Sequence, residues 1–432
     1  MFGMLFGVKH SPLWKGLSVL TIRLIVTAAS LVLGSGLIAE DWPQFLGPNR
    51  DGISTEQNLI SEFPTDGPTI LWRTEFGVGM SGIAVVDRLA YTMYQDDERQ
   101  YVVAVDAESG EQRWRTQLGD AFTNSMGNGP RATPAVYSDS VFVFTAEGTV
   151  ASLDAESGHV RWKANTLQKV ESKPADYGMS SSPLVTGGKV IVHLGAPDAA
   201  VIAYDIKTGE QVWGAGNQNS GYSSAVLRKP GGVEQVISFC AKSVQGIAPG
   251  DGEVLWEYPF VTDYDCNIAC PILLDDSTLL ISAGENQGSV ALQVTQEGDA
   301  WTVTEQWSSL GRGSSLRSEW QTPVLHDNYL FGLDNLGSAG PITNLVCVDA
   351  ASGKQRWLEK RFGKSNLTLA DGKLFISTMK GELVIATASA DGYQETARAP
   401  VLGMTRQAPA IANGRLYLRD DKEMVCIDVK AK

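Results

Sequence analysis

The amino-acid sequence predicts an all-β fold, an eight-bladed β-propeller with four antiparallel strands in each blade. The first observation is an eleven-residue pattern containing Asp, Gly and a final Trp, which ends at Trp114, Trp162, Trp213 and Trp357. The second is the spacing, because tryptophans recur every 42 to 51 residues from Trp72 onward, a period typical of repeated supersecondary units. The third is the last repeat, which has three strands where the others have four.

Each repeat begins with two apolar segments joined by a turn. Apolar and polar residues alternate on both sides of pairs such as Gly187-Gly188 and Asn413-Gly414, which predicts a β-hairpin. The Asp-Gly element then joins a third strand to a fourth that ends in Trp. Eight hairpins follow one another, starting near Ser81, Arg131, Ser181, Ser223, Ile268, Gln321, Asn366 and Gln407.

The two ends of the repeat array are complementary. The last repeat stops after its third strand, whereas Thr69–Arg73 contains a tryptophan without a hairpin before it. An N-terminal strand that completes the last blade would close the ring and remove a free strand edge. We therefore expect the propeller to occupy residues 68–432.

The repeated pattern predicts a contact between neighbouring blades. Asp and Ser bond to backbone N–H groups in tight turns, Gly adopts a positive φ, and Trp buries a large ring against the next blade. The residues expected to make these contacts are Trp72, Asp106, Gly110, Trp114, Asp154, Gly158, Trp162, Asp205, Gly209, Trp213, Trp256, Trp307, Asp349, Gly353 and Trp357. The seventh blade has Ala388 for Asp and Thr396 for Trp, so we expect its contact to be the weakest.

Residues 1–39 are predicted to be a secretory leader. Lys9, Lys15 and Arg23 precede an apolar run that reaches Ala39, with no acidic residue among them. An uncleaved membrane anchor is the alternative, because Leu37 occupies a position where cleavage usually needs a small residue. The expected location is therefore periplasmic or secreted, with membrane contact only through an uncleaved leader.

Charge and cysteine content exclude some classes of protein. The net charge is −14, and −17 without the leader, so a nucleic-acid partner is not expected. Five cysteines do not describe a disulfide scaffold. Cys347 and Cys426 are expected in the core, while one bridge among Cys240, Cys266 and Cys270 is left open.

The motif Ala/Ser-x-Asp-x-x-Ser/Thr-Gly-x-x-x-Trp resembles the tryptophan-docking motif of the quinoprotein alcohol dehydrogenase-like superfamily, the PQQ-like repeat propellers. The chain is also similar to BamB-type propellers, which have eight such blades and no enzymatic activity. The segment DWPQFLGPNRDGIS, residues 41–54, is similar to the first segment of secreted PQQ-like repeat proteins of planctomycetes. We expect residues 40–67 to form a capping segment, with Trp42, Pro43 and Phe45 covering one face of the propeller.

The resemblance implies two opposite functions. Catalytic quinoproteins hold PQQ beside two adjacent, bridged cysteines, with Glu and Asn ligands to Ca²⁺ and an Asp base. No two cysteines are adjacent here, since Cys266 and Cys270 are separated by three residues. This departure favours a non-catalytic protein without a cofactor, and no histidine pair has metal-ligand spacing.

The candidate binding site lies where connections between blades meet at one mouth of the ring. These connections carry arginine, carboxylate, amide and aromatic groups, which together suit a small polar or anionic ligand. Trp320 and Arg317 are the strongest candidates. The alternative to a binding site is that these connections only form sharp turns between blades. The full candidate set is Asn128, Arg131, Tyr177, Tyr222, Asp263, Asp265, Asn267, Arg317, Glu319, Trp320 and Arg406.

The leading hypothesis is an exported, non-catalytic propeller that binds a protein or a small ligand through its loop-rich rim. The alternative is a PQQ- and calcium-dependent oxidoreductase whose site uses Asp263, Asp265, Glu319 and the arginines. A carbohydrate-processing or carbohydrate-binding propeller is a third interpretation, based only on exposed aromatic and carboxylate side chains.

Overall fold

Eight blades, each of four antiparallel strands, form a closed ring in the computed structural model, which describes residues 40–337 and 342–431; one of these sheets gains a fifth strand. The leader predicted for residues 1–39 lies outside the described residues. Two short strands precede the first blade, β1 (Ile53–Ser54) and β2 (Ile70–Glu75). Blade 1 contains β3 (Ala84–Val86), β4 (Leu89–Gln95), β5 (Arg99–Asp106) and β6 (Gln112–Asp120), and blade 2 contains β7 (Ala135–Tyr137), β8 (Ser140–Phe144), β9 (Thr149–Asp154) and β10 (Val160–Asn165). Blade 3 contains β11 (Leu184–Thr186), β12 (Lys189–Ala196), β13 (Ala199–Asp205) and β14 (Gln211–Ala215), and blade 4 contains β15 (Val226–Arg228), β16 (Gln235–Phe239), β17 (Ser243–Ile247) and β18 (Val254–Pro259).

The other half of the ring repeats the same arrangement. Blade 5 contains β19 (Ile272–Leu273), β20 (Thr278–Ala283), β21 (Gly288–Glu297) and β22 (Ala300–Leu310), and blade 6 contains β23 (Val324–His326), β24 (Tyr329–Leu336), β25 (Ile342–Asp349) and β26 (Gln355–Glu359). Blade 7 contains β27 (Ser365–Ala370), β28 (Lys373–Thr378), β29 (Glu382–Thr387) and β30 (Glu395–Pro400), and blade 8 contains β31 (Ala410–Ala412), β32 (Arg415–Arg419) and β33 (Glu423–Asp428). One helical turn, α1 (Thr166–Lys169), and short 3-10 turns at Pro230–Gly232, Asp263–Asp265 and Gly311–Gly313 complete the described elements.

The ring is closed by β2, which pairs antiparallel with β33 and places Trp72 opposite Cys426. The predicted fold class and the predicted closure are therefore confirmed. In the part of the chain that the structure describes, no helix is long and apolar enough to span a membrane. All five cysteines lie in that part and each is a free thiol, so the bridge left open by the sequence does not form.

The tryptophans at the ends of outer strands contact the next blade in a repeated geometry. Trp114 Nε1 donates to the Ala155 carbonyl at 2.9 Å, and Trp162 Nε1 donates to Ile206 at 2.9 Å. Gly158 packs against the Trp114 ring with a φ of 72°, and a Cβ there would lie 2.4 Å from that ring. Glycine is required at this position both by its backbone conformation and by the close approach. The same contact is made by Trp72, Trp213, Trp307 and Trp357.

Two of the eight contacts depart from this geometry. Trp256 Nε1 donates to Gln235 Oε1 at 2.6 Å within its own blade, because the fifth blade lacks the Asp-Gly turn. At the contact between blades 7 and 8, Thr396 bonds to the Ser61 carbonyl instead. Nearby, Ile60 and Phe63 of the capping segment pack against a core cluster formed by buried residues of blades 7 and 8. The capping segment thus covers the place where a docking tryptophan is missing.

The first part of the capping segment lies within the ring, against the innermost strands. Trp42 exchanges two backbone hydrogen bonds with Val85, at 2.7 and 2.8 Å. Arg50 donates to the carbonyls of Ser182 and Pro183 at 2.9 and 2.8 Å. Further along, β1 pairs in parallel with β27, the innermost strand of blade 7. These bonds fix Trp42 to Ser54 against the innermost strands of blades 1, 3 and 7.

Candidate functional site

Two adjacent cavities lie inside the ring, where connections between blades meet. The outer one, here called the mouth cavity, has a volume of about 190 Å³ and is lined by Met80, Met126, Arg131, Tyr177, Ser180, Tyr222, Cys266, Ile268, Trp320 and Arg406. The inner cavity measures about 80 Å³ and is lined by Trp42, Phe45, Leu46, Met80, Gly82, Ile83, Arg131, Thr133, Trp320, Thr322, Asn366, Arg406, Gln407 and Ala408. Four residues line both, so the cavities are adjacent along the axis, and residues of the capping segment line the inner one.

Arg131 holds together the connections of two blades. Its guanidinium donates to the carbonyls of Gly127, Gly129 and Tyr177, with the bonds to Gly127 and Tyr177 at 2.7 and 2.6 Å. The same group lies 4.5 Å from the centre of the Phe122 ring. Burial lowers the pKa of Arg131 to about 10, so the side chain remains a cation at neutral pH. Arg131 therefore contributes positive charge to the cavity, while most of its donors are already used.

Arg406 is the more available of the two arginines. Its Nη1 donates to the Met126 carbonyl at 2.6 Å, and its other close contacts are the sulfur atoms of Met80 and Met404. Within the described residues it forms no ion pair with a carboxylate. Its remaining N–H groups have no oxygen acceptor there, so they are free to bind an anionic group.

Trp320 provides the aromatic surface of the mouth. Lys364 Nζ lies 4.0 Å from the centre of its ring, and the Arg406 guanidinium lies 6.0 Å from it. Lys364 also forms an ion pair with Glu319 at 3.3 Å. Burial raises the pKa of Glu319, and the neighbouring Lys364 opposes this shift. The carboxylate is therefore held by the protein itself, next to the mouth cavity and outside its lining.

Tyr177 and Tyr222 form the other aromatic wall. Their ring centres are 5.4 Å apart, and the Tyr222 hydroxyl accepts a 3.3 Å bond from the Tyr177 N–H. Burial raises the pKa of Tyr222, so its hydroxyl stays neutral. The mouth cavity thus combines aromatic and thioether surfaces with two guanidinium groups.

Five of the eleven candidate residues predicted from the sequence line the mouth cavity, namely Arg131, Tyr177, Tyr222, Trp320 and Arg406. The expectation for Arg317 is corrected, because this side chain is buried and bonded to Asp334 through two bonds of 2.6 and 2.7 Å. Asn267 is also removed from the site. It is fully buried and its amide donates to the carbonyls of Cys240, Ala241 and Phe260.

The remaining candidates lie at the rim or beside it. The Asn128 side chain accepts a bond from the Asn124 N–H at 3.0 Å and stabilises its own loop. Asp265 accepts from Asn219 at 2.6 Å and borders a separate groove of about 520 Å³. Asp263 is exposed in a 3-10 turn. Burial, followed by the charges of Glu285, Glu319 and Asp265, raises the pKa of Cys266, which lines the mouth cavity. Among the described residues, however, these carboxylates form no group that could hold a metal ion.

Sequence reasoning placed Trp42 and Phe45 over one face of the propeller, but it did not identify them, Leu46 or the methionines as residues that line a cavity. Met80 lies in Gly79-Met80-Ser81, just before the first innermost strand, and Gly178-Met179-Ser180 precedes a later one. This recurrence is a signal that could have identified Met80. The contribution of Trp42, Phe45 and Leu46 depends on how the capping segment crosses the channel, which no local pattern encodes.

The arrangement fits an organic anion better than a calcium-bound quinone. Arg131 and Arg406 suit carboxylate groups, and Trp320 offers a planar face. A calcium ion needs six to eight oxygen ligands. Among the described residues, no group of three metal-ligating side chains comes together. The donor set therefore does not fit the calcium ion that the alternative hypothesis requires.

The repeat, the ring closure and the docking tryptophans define an eight-bladed PQQ-like propeller. The chain belongs to the family whose model is described as outer membrane protein assembly factor BamB, which matches residues 57–167 and 98–358. A relative of that name from Yersinia pestis is 22% identical over 320 residues, covering 71% of this chain and 75% of the relative.

The chain is also similar to quinoprotein dehydrogenases over a shorter length. Quinohemoprotein alcohol dehydrogenase ADH IIB of Pseudomonas putida is 34% identical over 127 residues, which is 26% of this chain and 17% of that protein. The chain thus spans about a sixth of that relative's length.

Two solved structures share the fold. The quinohemoprotein alcohol dehydrogenase of Comamonas testosteroni has a TM-score of 0.65 at 14% identity, covering 91% of this chain and 81% of that one. BamB of Moraxella catarrhalis has a TM-score of 0.61 at 16% identity, covering 84% and 99%.

Proposed function

We propose that this chain is an exported, non-catalytic propeller that binds a protein partner at the loop-rich face around the mouth cavity. The proposal is based on the two guanidinium groups of Arg131 and Arg406, which lie in a cavity with aromatic walls and no carboxylate in its lining. Membership of a family described as an assembly factor supports a protein partner.

The chemistry of the mouth favours binding over reaction. Arg131 is held by three carbonyls and Trp320 is flanked by two cations, so both are positioned before a partner arrives. Arginine and tryptophan are the residues that most often dominate binding energy at interfaces. Glu319, next to Trp320 in the chain, is buried and already paired with Lys364.

The proposal is tested by comparing partner capture by the intact protein and by two matched variants. Arg406→Gln removes the available cation of the mouth, whereas Arg312→Gln removes an exposed arginine at the same rim but outside both cavities. We expect a protein that co-purifies from the exported fraction to be lost with the first variant and retained with the second. Equal capture by both variants would place the binding surface elsewhere.

A second candidate function is PQQ-dependent oxidation, favoured by the match to alcohol dehydrogenases and by the cationic, aromatic cavity. Titration with PQQ, with and without Ca²⁺, followed by tryptophan fluorescence and melting temperature tests it. At about 100 μM, a micromolar site would stabilise the protein by about 2.7 kcal/mol. Calcium-dependent binding together with turnover of an alcohol would replace our proposal.

Export is the remaining part of the proposal. It depends on the leader at residues 1–39 and is tested by sequencing the N-terminus of the protein recovered from a cell fraction. A mature N-terminus at or near Glu40 in the periplasmic or secreted fraction is expected. Intact protein in the membrane fraction would instead support an uncleaved anchor.

A further inference from the structure

The mouth cavity and the inner cavity together form a blind pocket. Met80, Arg131, Trp320 and Arg406 line both cavities, and Trp42 and Phe45 line only the inner one. Trp42 is bonded to an innermost strand, so the capping segment is fixed where it lies. A ligand therefore meets two levels in one pocket, first the arginines and then the apolar residues behind them.

The inner level offers mainly apolar surface, although several polar residues line it. Thr133 Oγ1 accepts from the Gly82 N–H, and Thr322 Oγ1 accepts from the Cys270 N–H. Asn366 donates to the Arg406 carbonyl, and Gln407 accepts from the Arg406 N–H. With these polar groups already bonded, Trp42, Phe45, Leu46 and Ile83 are the surfaces left for a ligand.

The inner volume is large enough for a side chain. About 80 Å³ is several times the roughly 10 to 15 Å³ that a single water needs by the same measure. An apolar side chain in this space would contact Phe45 and Leu46. An anionic group attached near its base would lie at the level of Arg406.

We propose that this pocket binds the C-terminal residue of a partner polypeptide, with the α-carboxylate at Arg406 and an apolar side chain in the inner cavity. The inference rests on the proposed function and names the part of the partner that is recognised. In a C-terminal residue the carboxylate and the side chain leave the same Cα, which matches two adjacent levels of one pocket. An internal Asp or Glu carries its carboxylate at the tip and has no apolar group beyond it to fill the inner cavity.

Charge supports this occupant. The chain has a net charge of −14, yet the lining of the mouth cavity contains two arginines and no carboxylate. Capture of a terminal carboxylate is an established mode of peptide recognition, and a charge-assisted bond to arginine gives it strength.

The test is a titration of the full chain with four blocked peptides, followed by tryptophan fluorescence because Trp42 and Trp320 line the pocket. The peptides are acetyl-Gly-Gly-Phe with a free carboxylate, its C-terminal amide, acetyl-Gly-Gly-Ala with a free carboxylate, and acetyl-Gly-Glu-Gly-Phe amide. We expect the first to bind at least tenfold more tightly than each of the other three.

Variants make the same test specific to the pocket. Arg406→Gln should abolish the tenfold difference between the free acid and the amide, and Arg312→Gln should leave it unchanged. Phe45→Ala should reduce the preference for Phe over Ala, with circular dichroism confirming the fold.

Each contrary outcome is informative. Equal binding of acid and amide, equal binding of the internal glutamate peptide, or no binding of any peptide would overturn the inference. Capture of a partner that depends on Arg406 would still stand in those cases, so the inference and the proposed function fail independently.

Discussion

Two arginines inside the ring show how the same type of side chain can serve stability in one place and binding in another. Arg50 is 1% exposed and donates to the carbonyls of Ser182 and Pro183, and to Gln44. Arg406 is partly exposed and donates to a single backbone oxygen. Both Nη groups of Arg50 bond to oxygen atoms of the protein, so this side chain fixes the fold, whereas Arg406 has N–H groups without an oxygen acceptor among the described residues and can bind an anionic ligand.

The largest expected effect of a single substitution at neutral pH is the loss of stability on replacing Arg50. Arg50→Met would leave two buried carbonyls without their donor and would detach the capping segment from blade 3. Each unpaired buried group costs about 1 to 3 kcal/mol, so we expect a loss of about 3 kcal/mol in the free energy of unfolding. Denaturant unfolding measures this free energy, and a loss below about 1 kcal/mol would show that Arg50 does not hold the capping segment against blade 3.

Acid should lower the free energy of unfolding through His193. This side chain is fully buried, and burial, followed by the charge of Arg50, lowers the pKa of His193 to about 3. The unfolded chain binds a proton near pH 6.5, so stability is fully present above that pH and is lost as the pH falls toward 3. The expected loss is about 1.4 kcal/mol per pH unit in this window.

The control for this effect is the exposed His159. His193→Gln should flatten the dependence of unfolding free energy on pH between 6 and 4, while His159→Gln should leave it as in the parent protein. An unchanged slope in the His193 variant would mean that other groups cause the acid sensitivity.

A smaller effect is expected where the capping segment replaces a tryptophan. Phe63 packs against the core cluster of blades 7 and 8, and two residues before it Ser61 accepts the bond from Thr396, whereas Trp162 joins blades 2 and 3 through its own bond to Ile206. Phe63→Ala should cost about 1 to 2 kcal/mol, since this ring is only partly buried. Hydrogen exchange should become faster in β30 and stay unchanged in β10. Exchange in β30 that is already as slow as in β10, and stays so, would contradict the prediction of a weak seventh contact.

The fold was predictable because its determinants are local. The turn at Asp106 and Gly110 and the ring of Trp114 repeat in register, and each copy carries enough information to place one blade. Arg317 was misassigned because its partner, Asp334, lies on β24 and becomes a neighbour only in the folded blade. Phe45 was expected only to cover one face of the propeller and Arg50 was not singled out, since their positions depend on a segment that crosses the ring without a periodic pattern.

The smallest expected effect on stability belongs to Arg406. Arg406→Gln removes one bond to the Met126 carbonyl and two sulfur contacts on a partly exposed side chain, so the free energy of unfolding should change by about 0.5 kcal/mol or less. Carboxylate binding should nevertheless fall at least tenfold, because a charge-assisted bond is lost. Parallel denaturant unfolding and peptide titration measure the two quantities. If the Arg406→Gln variant instead lost several kcal/mol of stability, Arg406 would be a structural residue like Arg50. The contrast between the two arginines would then no longer hold.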